Sequence, residues 1–415
     1  MTVNTSKPPY YVPTMEEIKN LPWNGYSCVS TFSGAGGSSL GYKMAGFRVL
    51  WANEFIPAAQ DTYRANHRGT ILDTRDIRTI QADDILNAIG MQPGELDLFD
   101  GSPPCASFST AGKREAGWGK VKQYSDTKQR TDDLFFEYAR LVEGVQPKVF
   151  VAENVSGLVK GTAKGYFKEI LAALKACGYT VKAQLLDAQW LGVPQMRQRI
   201  IFIGVRRDLA VEPVFPTPLP YRYSVRDAIG VTLRTKSYAA NDWTEGDEPA
   251  AAIQASGQYF VEDANGLRSA GGGVGHVEPY VTDTPMPTVQ AQRPVRVHVE
   301  PEADISRYAI GREWENTEIG GSNGRYFSLK RSPVAAPSFT VTADGGQTDK
   351  ASVTHPTEKR KFSIAELRRI CGFPDDFALT GTYAQQWERL GRAVPPVMMS
   401  HIARTIRDEV LCKTK

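Results

Sequence analysis

Short apolar runs and longer amphipathic stretches alternate along the first half of the chain. Tyr26–Ser30, Val49–Asn53, Val149–Ala152 and Ile200–Ile203 are apolar or β-prone and of strand length, and a further run leads through Leu98-Phe99 into Asp100. Between them, apolar positions recur at helical spacing through Met44, over Asp133–Val142 and around Phe167–Ala176. Strands separated by helices predict an α/β fold with a parallel sheet. From about Tyr223 the texture changes to Gly, Pro, Ser and short β-prone pieces. Helical periodicity returns over Phe362–Cys371, where Ser363 is placed as an N-cap, and over Val397–Leu411. The last helix must bury an apolar face, and the first domain's sheet is the available surface. The expected organisation is therefore 1–223 as a first domain, 224–354 as a loop-rich second domain whose last segment docks on the first, and 355–415 as helices returning to the first.

Several strand ends carry side chains suited to chemistry. The run at Leu98-Phe99-Asp100-Gly101 ends in Ser102-Pro103-Pro104-Cys105. Proline fixes φ and restricts the residue before it, so this turn leaves the Cys105 sulfur few positions, as a nucleophile requires. The first strand feeds Thr31-Phe32-Ser33-Gly34-Ala35-Gly36-Gly37, and strand, glycine loop and helix together bring a nucleotide-like ligand against backbone N–H groups. A dinucleotide fingerprint G-x-G-x-x-G would need glycine at position 39, where Ser39 stands. Glu54, after the next strand, stands where a carboxylate accepts from a ribose diol, and Asp76-Ile77 suits an adenine amino group with an apolar wall. Glu153 ends the strand expected beside that of Cys105, which places an acid near a thiol. Arg197 and Arg199 alternate at the head of an apolar strand and share a face, a costly arrangement unless they meet an anion or hydrogen-bond acceptors. Between Lys113 and Arg130 six basic residues face two acidic ones in a glycine-bearing loop, which reads as a lid over an anionic substrate.

Composition narrows the setting. The 415 residues are 41% hydrophobic and 23% charged, as in a soluble protein with one large domain and one smaller. No apolar run is of membrane-spanning length, and the polar N-terminus lacks the apolar core of a secretory signal, so a cytoplasmic protein is expected. Five widely spaced cysteines point to reduced thiols, and five scattered histidines give no support for a metal site. The net charge of +3 permits a polyanionic partner without requiring one.

The motifs stand in the order Phe32-x-Gly34-x-Gly36-Gly37, Glu54, Asp76, Pro103-Pro104-Cys105, Glu153-Asn154-Val155, Gln195-x-Arg197-x-Arg199 and Gly391-x-Ala393-Val394. In that ordered set the chain resembles the DNA (cytosine-5)-methyltransferases across nearly its whole length. The resemblance implies a doubly wound, Rossmann-like methyltransferase sheet carrying S-adenosylmethionine, no metal, and an inserted, loop-rich target-recognition domain filling 224–354. It implies that Phe32 stacks on adenine and Glu54 holds the ribose, with Ser33, Gly34, Gly36, Gly37, Phe55, Asp76, Ile77, Pro103, Leu134, Arg392, Ala393 and Val394 completing the cofactor site. Cys105 would add to cytosine C6, Glu153 would bind or protonate N3, Arg199 would hold the base through O2, and Arg197 would brace the loop or a phosphate. A base inside a duplex is out of reach, so the cytosine would be flipped at a cost of roughly a few kcal/mol. Double-stranded DNA is the expected partner, acted on by a monomer, with a restriction endonuclease as a possible functional pair. A tRNA-directed relative shares these motifs but is expected to have a short insert, and roughly 130 residues here favour DNA.

One position departs from the pattern. The resemblance leads to Gly-Asn-x-Val in the last motif, with asparagine near the sulfonium end of the cofactor, and here the residue is Arg392. A guanidinium about 5 Å from a sulfonium repels it by roughly 3 kcal/mol at an effective dielectric of about 20, so an inward-facing arginine calls for an anion. The amino-acid carboxylate of the cofactor, a DNA phosphate, or an outward turn to solvent would meet that need. So would carboxy-S-adenosylmethionine, whose transferred carbon carries a carboxylate.

Overall fold

In the computed structural model, the apolar runs of the first half become one seven-stranded mixed sheet. The structure describes residues 7–104, 133–159, 163–231, 299–326 and 328–414, and six short strands: Lys122–Tyr124, Thr127–Gln129, Leu233–Lys236, Trp243–Gly246, Phe260–Asp263 and Gly266–Ser269. The sheet is formed by β1 (Ser27–Thr31), β2 (Arg48–Asn53), β3 (Ile71–Asp73), β4 (Leu98–Gly101), β5 (Val149–Val155), β6 (Tyr179–Asp187) and β7 (Gln198–Arg206). Their spatial order is β3-β2-β1-β4-β5-β7-β6. All neighbours are parallel except β7, which runs antiparallel to both β5 and β6. The chain winds outward from β1 to β3 and returns to start β4 on the other side of β1. That reversal opens a crevice at the carboxyl ends of β1 and β4, where α/β sheets bind ligands.

Period-two alternation divides the strand side chains between two cores. Val29, Phe99, Phe150 and Phe202 face one layer, covered by helices Ala82–Ile89, Leu134–Val145 and Ala163–Ala176. Leu98, Val149, Val151, Ile201 and Ile203 face the other, covered by helix Gly37–Met44 and by the last helix, Pro396–Glu409. The last helix buries Met398, Ile402 and Ile406 there, each worth about 1.5–3 kcal/mol of transfer free energy. It thus packs on the sheet as its apolar face required. Helix Ile364–Ile370 starts at the expected cap, where the Ser363 hydroxyl accepts from the Glu366 N–H and Glu366 reaches back to the Ser363 N–H.

The chain forms two compact units, one of residues 1–229 and 297–415, the other of Gly230–Arg296. Residues 297–354 thus belong with the sheet. Segment 336–343, expected to dock, is stitched to 194–196: Met196 N donates to Ser338 O, Ser338 N to Pro194 O, and Val341 N to the Gln195 side chain. The other unit contains two antiparallel pairs, Leu233–Lys236 with Trp243–Gly246 and Phe260–Asp263 with Gly266–Ser269. Among the described residues no helix is long and apolar enough to cross a membrane, and no cluster of His, Cys, Asp and Glu could hold a metal ion.

Candidate active site

A cavity of about 1230 Å³ opens at the carboxyl ends of β1, β2, β4 and β5. Its lining includes Phe32, Ser33, Gly34, Gly37, Glu54, Phe55, Asp76, Ile77, Pro103, Leu134, Glu153, Arg197, Arg199, Arg392, Ala393 and Val394, which is every expected site residue except Gly36 and Cys105. Gly36 is buried between the lining residues Ala35 and Gly37. Its φ of 91° and the 2.0 Å that would separate an added Cβ from His67 Nε2 make it a turn residue that only glycine fills. Cys105 falls outside the described residues, directly after Pro104. Most of the expected basic lid lies outside them too, apart from the antiparallel pair Lys122–Tyr124 and Thr127–Gln129.

The cofactor side is built from strand ends. Phe32 adopts φ 52°, a conformation costly for a bulky residue, so the fold holds its ring at this edge against local preference. Glu54 is buried and accepts from Gly34 N at 2.6 Å and Ile56 N at 2.7 Å, so one carboxylate ties the glycine loop to the end of β2. Burial raises its pKa, while those N–H groups and the charge of Arg389 pull the other way. Asp76 accepts from the backbone and side chain of Arg78, and Arg78 also pairs with Asp133, which precedes the helix bearing Leu134. A glycine loop, a strand-end carboxylate, a half-buried aromatic ring and apolar walls fit an adenosyl donor.

The other side of the cavity carries charge. Arg199 Nε lies 2.6 Å from Glu153 Oε1, and both side chains are largely buried. The pairing register explains this contact: Glu153 sits opposite Ile201, and Arg199 opposite Val155, across the antiparallel β5/β7 ladder. Asn154 Nδ2 donates to Pro103 O at 3.2 Å, tying the proline turn to the end of β5. Arg197 takes a different course. It is 2% exposed and donates to the carbonyls of Val341 at 3.1 Å and of Gly391 and Ala393 at 2.9 Å each. It therefore braces two chain segments.

Two features, one in the cavity wall and one beneath it, were not read from the sequence, although Glu388 stands four residues before Arg392 as a local i,i+4 pair. Glu388, Arg389 and Arg392 form a charged cluster on the wall, made by the packing of helix Tyr383–Arg392. Asp100, 1% exposed on β4, accepts from Ser30 Oγ at 2.9 Å and Tyr42 Oη at 3.0 Å. Burial pushes it up to about 7; the hydroxyl donors act the other way, and Glu153 adds to the rise. A carboxyl raised in the folded state costs nothing below the unfolded pKa, and its cost grows as pH climbs toward 7. The stability advantage of Asp100→Asn over wild type should therefore widen by on the order of 1 kcal/mol between pH 6 and pH 8. Buried His67 and His355, both lowered mainly by burial, tilt both proteins' profiles the opposite way and cancel in the difference. Urea denaturation at the two pH values checks it, and a constant difference contradicts it.

Comparison with known proteins agrees with this geometry. The family model for C-5 cytosine-specific DNA methylase matches residues 26–408. The chain is 32% identical to the Type II methyltransferase M1.HphI of Haemophilus parahaemolyticus, over 91% of this chain and 86% of that one. It is 28% identical to the Type II methyltransferase M.NgoPII of Neisseria gonorrhoeae, over 95% and 98%. Among solved structures, a candidate DNA modification methyltransferase encoded within an E. coli prophage has the same fold, with TM-score 0.62 and 20% identity over 93% of this chain and 99% of that one.

Proposed function

Because this chain belongs to the C-5 cytosine-specific DNA methylase family, we propose that it methylates C5 of a cytosine flipped out of double-stranded DNA, with S-adenosylmethionine as donor. The observation that carries this reading is the Glu153–Arg199 pair, set in one cavity with Phe32, Glu54 and the Pro103-Pro104 turn. Cytosine C5 is a poor nucleophile. Cys105 adds to C6 and delivers electron density to C5, while Glu153 engages N3 and Arg199 holds O2 and orients Glu153. Asn154 keeps the proline turn, which precedes Cys105 in the sequence, at the cavity edge. Phe32, Ile77, Pro103 and Leu134 give the adenine its apolar walls, Asp76 its hydrogen-bond acceptor and Glu54 the ribose contact; the donor supplies the electrophilic carbon. Arg392 in the same wall favours a second donor, carboxy-S-adenosylmethionine. The kinship with Type II enzymes supports pairing with a restriction endonuclease in the cytoplasm.

Sequence choice is assigned to the segment 224–354, with exchange points best placed at Gly230 and Arg296, because Val341 and its neighbours brace Arg197. Replacing Gly230–Arg296 by its counterpart from a methylase of known specificity should transfer that specificity, as read by bisulfite sequencing. An active chimera that still modifies the original site contradicts the assignment. For the reaction itself, the purified protein is given S-adenosylmethionine with duplex DNA or with tRNA, and the nucleosides are analysed by mass. 5-Methylcytosine in DNA is expected. The same product confined to tRNA overturns the substrate, and its absence from both overturns the donor or the reaction.

A further inference from the structure

The wall that carries Arg392 is fixed from three directions. Arg197 Nη2 donates to the carbonyls of Gly391 and Ala393, so one buried guanidinium holds the backbone on each side of Arg392. A Cβ on Gly37 would stand 2.2 Å from Val394 O, which means that residues 393–394 rest against the glycine loop. Arg392 Nε donates to Glu388 Oε1 at 2.7 Å, one helical turn back, and this sets the plane of its guanidinium. Glu388 Oε2 also lies 2.9 Å from Arg389 Nη2, so a single carboxylate is divided between two guanidinium groups. All three side chains line the cavity that would take the donor.

A sulfonium donor brings one more positive charge against this wall, and in a partly dry cavity like charges repel more strongly than in water. A donor with a carboxylate on the carbon attached to sulfur reverses the sign of the encounter, because its anion meets a preset guanidinium. We propose that Arg392 selects carboxy-S-adenosylmethionine, so that this enzyme transfers a carboxymethyl group and makes 5-carboxymethylcytosine. The inference rests on the cytosine-C5 transfer reading above. In the step, C5 of the Cys105 adduct attacks the CH2 carbon; the C5–CH2 bond forms, the S–CH2 bond breaks, and its electron pair stays on sulfur as S-adenosylhomocysteine leaves. A base then removes the C5 proton, the C5=C6 double bond re-forms, and the S–C6 bond breaks to return the Cys105 thiolate. Cytosine and donor become 5-carboxymethylcytosine, S-adenosylhomocysteine and one proton.

Two measurements test it. Calorimetry on the intact protein compares carboxy-S-adenosylmethionine, S-adenosylmethionine and S-adenosylhomocysteine, which lacks the transferred carbon. Wild type should bind the carboxy donor at least ~10-fold tighter than S-adenosylmethionine, Arg392→Asn should erase that preference, and Arg392→Lys should retain part of it. S-adenosylhomocysteine affinity should stay within about threefold in both variants, which also reports that they fold. Equal loss for all three ligands would mean that Arg392 holds the amino-acid carboxylate instead, and overturns the proposal. Wild type is then given both donors in competition with duplex DNA, and the nucleosides are weighed. 5-Carboxymethylcytosine is expected. 5-Methylcytosine alone defeats the donor assignment and leaves the methylation reading standing, whereas neither product defeats the underlying reading.

Discussion

Cys105→Ala is expected to lower turnover to below about a thousandth of the wild-type rate while leaving DNA affinity within about threefold. The reason lies in the chemistry of the base. C5 becomes nucleophilic only after a thiolate has added to C6, and among the described residues no other thiol lines the cavity: Glu153 and Arg199 would polarise the ring without forming a bond to it. The structure bears on position. β4 ends at Gly101, Ser102 N donates to Thr31 O at 3.4 Å, and Asn154 holds Pro103 O, so the turn that precedes Cys105 is tied to the strands on both sides. DNA affinity comes mostly from phosphate contacts and groove readout, which the substitution leaves in place. Product formation on duplex DNA and a gel-shift titration measure the two quantities. A variant that keeps more than about a thousandth of the rate would rule out the covalent route.

What was legible in the sequence was whatever depends on neighbours in the chain. The strands around Leu98-Phe99, Val149–Ala152 and Ile200–Ile203 show as apolar runs because each is buried on both faces. The Ser363 cap and the glycine loop are likewise local patterns. Placing Glu153 beside the strand of Cys105 needed only the expectation that consecutive strands in such a sheet are adjacent, and β4 and β5 do pair in parallel. The alternation of Arg197 and Arg199 predicted a shared need for acceptors, and each found one: Glu153 for Arg199, backbone carbonyls for Arg197. Which acceptor went to which arginine was not readable, because Val341, Gly391 and Ala393 lie 144 to 196 positions away in the chain. The same holds for Asp100. Its strand was plain, but its burial follows from Ser30 and Tyr42 closing over it from another strand and another helix. Gly36 belonged to a motif associated with the cofactor, and only the approach of His67 assigns it to the turn.

Arg197→Met should destabilise the protein by about 3–5 kcal/mol, because three buried carbonyls lose their common donor. Methionine fills much the same volume but leaves the Val341, Gly391 and Ala393 carbonyls without their donor, and each orphaned buried acceptor costs about 1–3 kcal/mol. Burial foremost, and the charge of Arg199 second, push the guanidinium down to about 9, so it stays protonated at neutral pH. Lysine keeps a charge and up to three N–H donors, but on a flexible stem without the planar fork, so Arg197→Lys should recover only part of the loss. A purely structural brace would show up in denaturation alone. Arg197 also sets the backbone on both sides of Arg392, so affinity for S-adenosylhomocysteine should fall in the methionine variant, at temperatures where it is still folded, and recover partly with lysine. Urea denaturation and calorimetry give the two readouts. An unfolding free energy within about 1 kcal/mol of wild type would mean that the three carbonyls find other donors and that Arg197 is not what joins segment 338–342 and the 391–394 turn to the sheet.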